Sequence, residues 1–124
     1  MSKQSLISIV DDDQSFRDSM RRLLKSLGYP VAVFPSAGEF LTSPKLAATA
    51  CLVADVHMPA ITGIELYKQL IETGHAIPTI LVTGYPNARV GERMRTLGVE
   101  CYLRKPLDEV VLIGCLRSAC ARRS

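Results

Sequence analysis

The chain alternates between short apolar runs and longer stretches of helical periodicity. "SLISIV" (5–10) is a β-rich run that stops at three consecutive aspartates, Asp11, Asp12 and Asp13. "QSFRDSMRRLLKSLG" then spaces Phe16, Met20, Leu23, Leu24 and Leu27 along one helical face and stops at Gly28. "VAVF" (31–34) predicts a second strand, after which a Pro–Ser pair opens a short helix carrying Phe40 and Leu41. "ACLVA" (50–54) predicts a third strand, and "GIELYKQLIETG" a helix with Ile64, Leu66, Tyr67, Leu70 and Ile71 on a broad apolar face. "IPTILV" (77–82) reads as a fourth strand, "NARVGERMRTLG" as a weaker, Arg-rich helix, and "ECYL" (100–103) as a fifth strand. A last helix runs from about Leu107 to Ala121.

Strands thus alternate with helices, and several strands are apolar throughout. That is the pattern of a parallel sheet covered on both faces. Right-handed crossovers make it an α/β doubly wound three-layer sandwich. With no repeat, low-complexity tract or linker, residues 1–124 read as a single domain.

Composition narrows the class without naming a chemistry. A hydrophobic fraction of 48% with 22% charged residues is ordinary for a globular domain, and a formal charge of +3 is too small to indicate nucleic-acid binding. The first residues contain no apolar stretch long enough for a signal peptide, and nothing approaches a membrane span, so a cytoplasmic location is expected. Cys51, Cys101, Cys115 and Cys120 form no C-x-x-C pair. They read as small buried hydrophobes in a reducing compartment, with Cys120, near the C-terminus, expected to be exposed and oxidisable.

In an open α/β sheet, ligands bind beyond the carboxyl ends of the strands. The residues to compare are therefore those just after each strand: Asp11, Asp12 and Asp13 after the first, Asp55 after the third, Thr83 after the fourth and Lys105 after the fifth. Each has a plain structural account, as a helix N-cap, a turn residue, a strand end or a loop. Their joint order on successive βα units is what carries information. Carboxylates brought within about 4 Å repel by about 4 kcal/mol at an effective dielectric of about 20, so such a cluster calls for a cation. Oxygen donors without paired His or Cys point to Mg²⁺ rather than Zn²⁺. A lysine and a hydroxyl suit phosphoryl oxygens, and an aspartate can become an acyl phosphate. Metal, lysine and hydroxyl together would offset the charge of a transferring phosphoryl group.

The stretches "IVDDD", "VADVHMP" with "TGIEL", "ILVTG" and "YLRKP" resemble, in order and spacing, a response-regulator receiver domain of two-component signalling, most like the FixJ and NarL type. The resemblance spans essentially the whole chain and implies a flavodoxin-like (βα)5 fold with a five-stranded sheet of order 2-1-3-4-5. It implies that Asp55 is the phosphoacceptor, that Asp11 and Asp12 are the acidic pair holding Mg²⁺, and that His57 adds its backbone carbonyl while its imidazole faces outward. It further implies that Thr83 and Lys105 bind the phosphoryl group, that Lys105–Pro106 is a cis peptide, and that Tyr102 is the switch aromatic. The implied partners are a sensor histidine kinase or phosphotransfer protein and, on phosphorylation, a second copy through the fourth helix, fifth strand and fifth helix.

Several features depart from the family pattern. "YPNARVGERMRTLG" follows Thr83 where a glycine- and acid-containing loop is usual, and Gly91 weakens the following helix by about 1 kcal/mol relative to Ala. His57 and Tyr85 stand two residues after Asp55 and Thr83, where a bulky pair would slow dephosphorylation. Arg17, Arg21, Arg22, Lys25, Arg89, Arg93 and Arg95 read as a solvated basic face or a docking surface. No length remains for a DNA-binding domain, so direct nucleic-acid contact is not expected of this chain. It reads as a stand-alone receiver or one excised from a longer regulator. A flavodoxin-like cofactor binder would need a phosphate loop where three aspartates stand. A haloacid-dehalogenase-type phosphatase would use Asp11 and Asp13 but leave Asp55 unexplained. A degenerate receiver would lack some of the acidic, Thr and Lys positions that are all filled here.

Overall fold

Five parallel strands, β1 (Leu6–Val10), β2 (Val31–Phe34), β3 (Thr49–Asp55), β4 (Thr79–Thr83) and β5 (Cys101–Arg104), form one sheet of order β2-β1-β3-β4-β5. They alternate with α1 (Gln14–Ser26), α2 (Ala37–Leu41), α3 (Gly63–Glu72), α4 (Ala88–Leu97) and α5 (Glu109–Arg123). The structure, a computed structural model, describes residues 5–123, the side chains of residues 122 and 123 excepted. The expected domain bounds of 1–124 therefore extend past the described residues at both ends. No helix among the described residues is long and apolar enough to cross a membrane.

The period of two along each strand divides the core. Ile7, Ile9, Cys51, Val53, Ile80 and Val82 point to the layer of α1 and α5, where they meet Met20, Leu24, Leu112 and Leu116. Val10, Leu52, Ala54 and Leu81 point to the opposite layer, against Phe40, Leu66, Leu70 and Met94. β3 lies at the centre and is buried along its whole length, which explains the apolar run Ala50–Ala54 between Thr49 and Asp55. Each fully buried Leu or Ile contributes about 1.5–3 kcal/mol, so these two layers dominate the folding energy.

Helix ends follow local chemistry. Asp13 caps α1 by accepting from Ser15 N, Ser36 caps α2, and Asn87 caps α4. Thr62 and Glu65 form a reciprocal capping box on α3. Several limits differ from expectation: β5 runs 101–104 rather than 100–103, and α5 begins at Glu109 rather than at about Leu107. β4 begins at Thr79 rather than residue 77, because Pro78 has no N–H to pair, although its carbonyl accepts from Leu52 N at 2.9 Å. β3 and β4 each extend one residue further, so Asp55 and Thr83 are the last residues of paired strands rather than loop residues.

The cysteine expectation is corrected twice. Cys101 and Cys115 form a disulfide between β5 and α5, their Cα atoms 6.3 Å apart. Cys120 is 3% exposed, because it lies on the inward side of α5 with Leu112, Leu116 and Ala119. The misreading has a physical reason: apolar residues surround α5, and it is Val110 and Val111 that face solvent. Cys51 is fully buried, as expected, and burial pushes its thiol pKa up.

Candidate functional site

The three aspartates after β1 divide into three roles. Asp13 is spent on the helix cap, its Oδ1 accepting from Ser15 N at 2.9 Å. Asp11 is fully buried; its Oδ1 accepts from Asp13 N at 2.9 Å and its Oδ2 from Lys105 Nζ at 2.8 Å. Asp12 stays exposed. β3 brings Asp55 alongside, with Oδ1 accepting from His57 N at 3.3 Å and Oδ2 at 3.6 Å from Lys105 Nζ. Carboxylate oxygens of Asp11, Asp12 and Asp55 all lie within 4.8 Å of one another.

Lys105 is held from three sides. Its backbone N donates to Thr83 O at 2.8 Å, its ammonium bonds Asp11, and the same ammonium sits 4.1 Å from the centroid of the Phe16 ring. The Lys105–Pro106 bond is cis, as expected. Thr83 is fully buried at the end of β4, its Oγ1 accepting from Tyr85 N at 3.0 Å. β4 pairs with β3 at Asp55↔Val82, which puts Thr83 one position beyond the aspartate's neighbour.

One lysine shared by two buried carboxylates does not balance them. Burial raises the Asp55 pKa above the usual carboxylate range, and the Asp11 charge raises it further. Lys105 and the His57 N–H pull it back down, and Asp12 adds a smaller upward push. The donor set fits a hard divalent cation: three clustered carboxylates, one solvent-facing, with no sulfur or imidazole among them. The exposed His57 ring instead packs edge-on against Tyr85, centroids 5.7 Å apart.

The loop between β3 and α3 is set by close approach. Gly63 N donates to Val56 O at 3.1 Å, and a Cβ at 63 would lie 2.9 Å from the carbonyl carbon of Asp55. Gly63→Ala is therefore expected to push the loop off β3, lowering stability by about 1–3 kcal/mol and weakening any Mg²⁺-induced rise in melting temperature. Melts in EDTA and in Mg²⁺ measure both; an unchanged response would contradict the account.

Tyr102, half-buried on β5, packs toward α4. Its hydroxyl accepts from Asn87 N at 3.2 Å, and Asn87 Oδ1 in turn accepts from Arg89 N and Val90 N. The ring rests on Gly91, where a Cβ would come within 2.9 Å of Tyr102 Cδ2. The glycine that reads as a weak point of the helix is the seat of the aromatic.

Sequence reasoning missed four contributors. Arg17 is not part of a solvated face: its Nη1 donates to Asp11 O at 2.8 Å, whereas Arg21, Arg22 and Lys25 are exposed. Phe16 reads as core yet supports Lys105; Gly63 and Asn87 have no signal beyond ordinary helix starts. Placement of Phe16 and Arg17 in the first turn after the aspartates is the one clue available.

The family model described as the response regulator receiver domain matches residues 7–117. The response regulator protein TodT of Pseudomonas putida is 33% identical over 117 residues, covering 94% of this chain and 52% of TodT. The transcriptional regulatory protein FixJ of Azorhizobium caulinodans is 34% identical over 116 residues, covering 94% of this chain and 55% of that protein. The chain thus spans about half the length of these curated relatives. Among solved structures, the response regulator StyR superposes with a TM-score of 0.88 at 32% identity, covering 95% of this chain and 60% of StyR.

Proposed function

The chain belongs to the response regulator receiver domain family, the phosphoacceptor module of two-component signalling, and on that premise we propose that it accepts a phosphoryl group from a sensor histidine kinase or phosphotransfer protein on Asp55. The observation that carries this reading is the Asp11–Asp12–Asp55 cluster bridged by Lys105. An Asp55 carboxylate oxygen forms the new O–P bond as the P–N bond to the donor imidazole breaks, and the imidazole leaves with that electron pair. Lys105, already 3.6 Å from Asp55, pairs with a phosphoryl oxygen, and the Thr83 hydroxyl donates to another. Asp11, Asp12, Asp55 and the His57 backbone carbonyl would hold Mg²⁺, which supplies positive charge against the equatorial phosphoryl oxygens. The fixed positions of these groups supply the catalysis.

Drawing Thr83 toward the phosphoryl group changes the space beside Tyr102, and Tyr102 is tied to Asn87 and Gly91. The switch is then a shift between two packings of Tyr102 against α4, read out on α4, β5 and α5. Gly91→Ala tests that seat. Helix propensity alone would firm α4 by about 1 kcal/mol, whereas the clash with Tyr102 frees the amide of Asn87. The expected result is faster hydrogen exchange at the start of α4 in the unphosphorylated protein; slower exchange would show that Tyr102 does not rest there.

The kinase partner is proposed to dock on α1 and the loop after β5, where Phe16, Ser19, Met20, Leu23 and Pro106 line a groove of about 270 Å³ beside Lys105. A second copy is proposed to pair through α4, β5 and α5, whose exposed Leu97, Val110 and Val111 offer apolar contact. Nucleic acid is not a ligand of this domain in the proposal, which places it in the cytoplasm acting on a partner or an output domain. The packed His57–Tyr85 pair shields the phosphoryl group from water and slows self-dephosphorylation. To test the function, the chain is incubated with acetyl phosphate in Mg²⁺ or EDTA and then with hydroxylamine, which cleaves acyl phosphates. Mg²⁺-dependent, hydroxylamine-labile phosphorylation is the expected result; none on folded protein would favour a degenerate receiver.

A further inference from the structure

The disulfide joins the two outermost elements of the sheet's C-terminal side. Among the described residues β5 is an edge strand paired with β4 alone, and Cys101, its first residue, is partly exposed. Cys115 lies beneath it on α5. A second tie runs beside the first: Ser118 on α5 hydrogen-bonds Glu100 Oε2 at 2.6 Å. That polar contact, with Leu103 and Leu116 in the shared apolar layer, ties β5 to α5 independently of the disulfide. Cys115 is itself buried, so the partly exposed Cys101 is the thiol that an external disulfide meets first. Cys51 and Cys120 are buried away from this pair, and burial raises their thiol pKa values, which makes them poor nucleophiles.

We propose that Cys101 and Cys115 are a redox modification site at which a low-molecular-weight disulfide closes the bond that locks β5 to α5. Glutathione disulfide serves as the probe. The Cys101 thiolate attacks one glutathione sulfur and expels glutathione thiolate, leaving a mixed disulfide. The Cys115 thiolate then attacks Cys101 Sγ and expels the second glutathione. Two protein thiols are oxidised, one glutathione disulfide is reduced, and the two protons end on two glutathiones. In a reducing compartment such a bond forms only when the thiol pool is oxidised, which suits a sensing pair rather than a permanent staple.

Closing the bond ties residues 14 apart in sequence and restrains the edge strand that also carries Tyr102. Damping of the Tyr102 switch is a consequence that rests on the receiver reading; oxidation and its stiffening are measured with no phosphodonor present. The full chain is reduced with dithiothreitol, treated with glutathione disulfide and alkylated under denaturing conditions. Peptide mass should show Cys101 linked to Cys115, Cys51 and Cys120 alkylated, and full reversal by dithiothreitol. Hydrogen exchange of β5 and α5 amides should be at least about tenfold slower in the oxidised protein. Cys101→Ser should abolish the difference, and the wild-type comparison stands alone if that variant fails to fold. Persistent glutathione on Cys101, alkylation of both thiols after oxidant, or equal exchange in the two forms would each overturn the proposal.

Discussion

Lys105→Met lowers the stability of the metal-free protein by about 2–3 kcal/mol and slows phosphoryl uptake by about 100-fold. The stability loss follows from Asp11. Its side chain is fully buried and its Oδ2 has the Lys105 ammonium at 2.8 Å, so methionine fills the space but leaves a buried charge uncompensated. Lys105 itself is 21% exposed, which holds the loss near the low end for buried ion pairs. Contact with Phe16 survives as an apolar contact, so packing contributes little to the loss. Mg²⁺ should restore part of the stability, because it supplies charge to the same carboxylates, but not the uptake rate, because the group that meets the phosphoryl oxygen is gone. Urea unfolding in EDTA and in Mg²⁺, beside uptake kinetics, measures all three effects. A variant as stable as wild type in EDTA would mean that Asp11 does not depend on Lys105.

Asp55→Asn acts in the opposite direction on stability. The folded protein holds the Asp55 carboxyl above its usual range, through burial first and the Asp11 charge second. A raised pKa means that the protonated side chain is favoured by folding, so this contribution is full below the ordinary carboxylate value of about 3.9 and is lost as pH rises through the raised value. At neutral pH the metal-free wild type therefore carries a penalty that asparagine lacks. The melting temperature of Asp55→Asn should lie roughly 4 °C above that of the wild type in EDTA, and the gain should vanish as pH falls below the carboxylate range. In Mg²⁺ the order should narrow or reverse, since the cation stabilises the ionised aspartate. Destabilisation by asparagine in EDTA at neutral pH would show that Lys105 and the His57 N–H already satisfy the carboxylate.

Legibility in the sequence followed periodicity and strand ends. The apolar run of β3 and the helical spacing of Met20 and Leu24 in α1 translate directly into burial, because a parallel sheet covered on both faces leaves no other place for them. Asp11, Asp12, Asp55, Thr83 and Lys105 were legible as a set because consecutive βα units send their strand ends to one edge. Contacts that depend on a third dimension were not. Arg17 belongs by spacing to the basic face with Arg21, yet reaches the Asp11 carbonyl because α1 begins immediately at the site. Gly91 reads as a helix defect until the Tyr102 ring is placed upon it. The Cys101–Cys115 pair has no local motif, since its partners come from a strand and the helix that crosses under it.

The central claim is that Asp55 is the residue that takes the phosphoryl group. Its most direct test is the intact mass of wild type and Asp55→Asn after incubation with acetyl phosphate and Mg²⁺. The account predicts a gain of a single phosphoryl group by the wild type and no gain by the variant. An equal gain by Asp55→Asn would contradict it and move the acceptor to another residue, Asp11 to Asp13 being the nearest carboxylates.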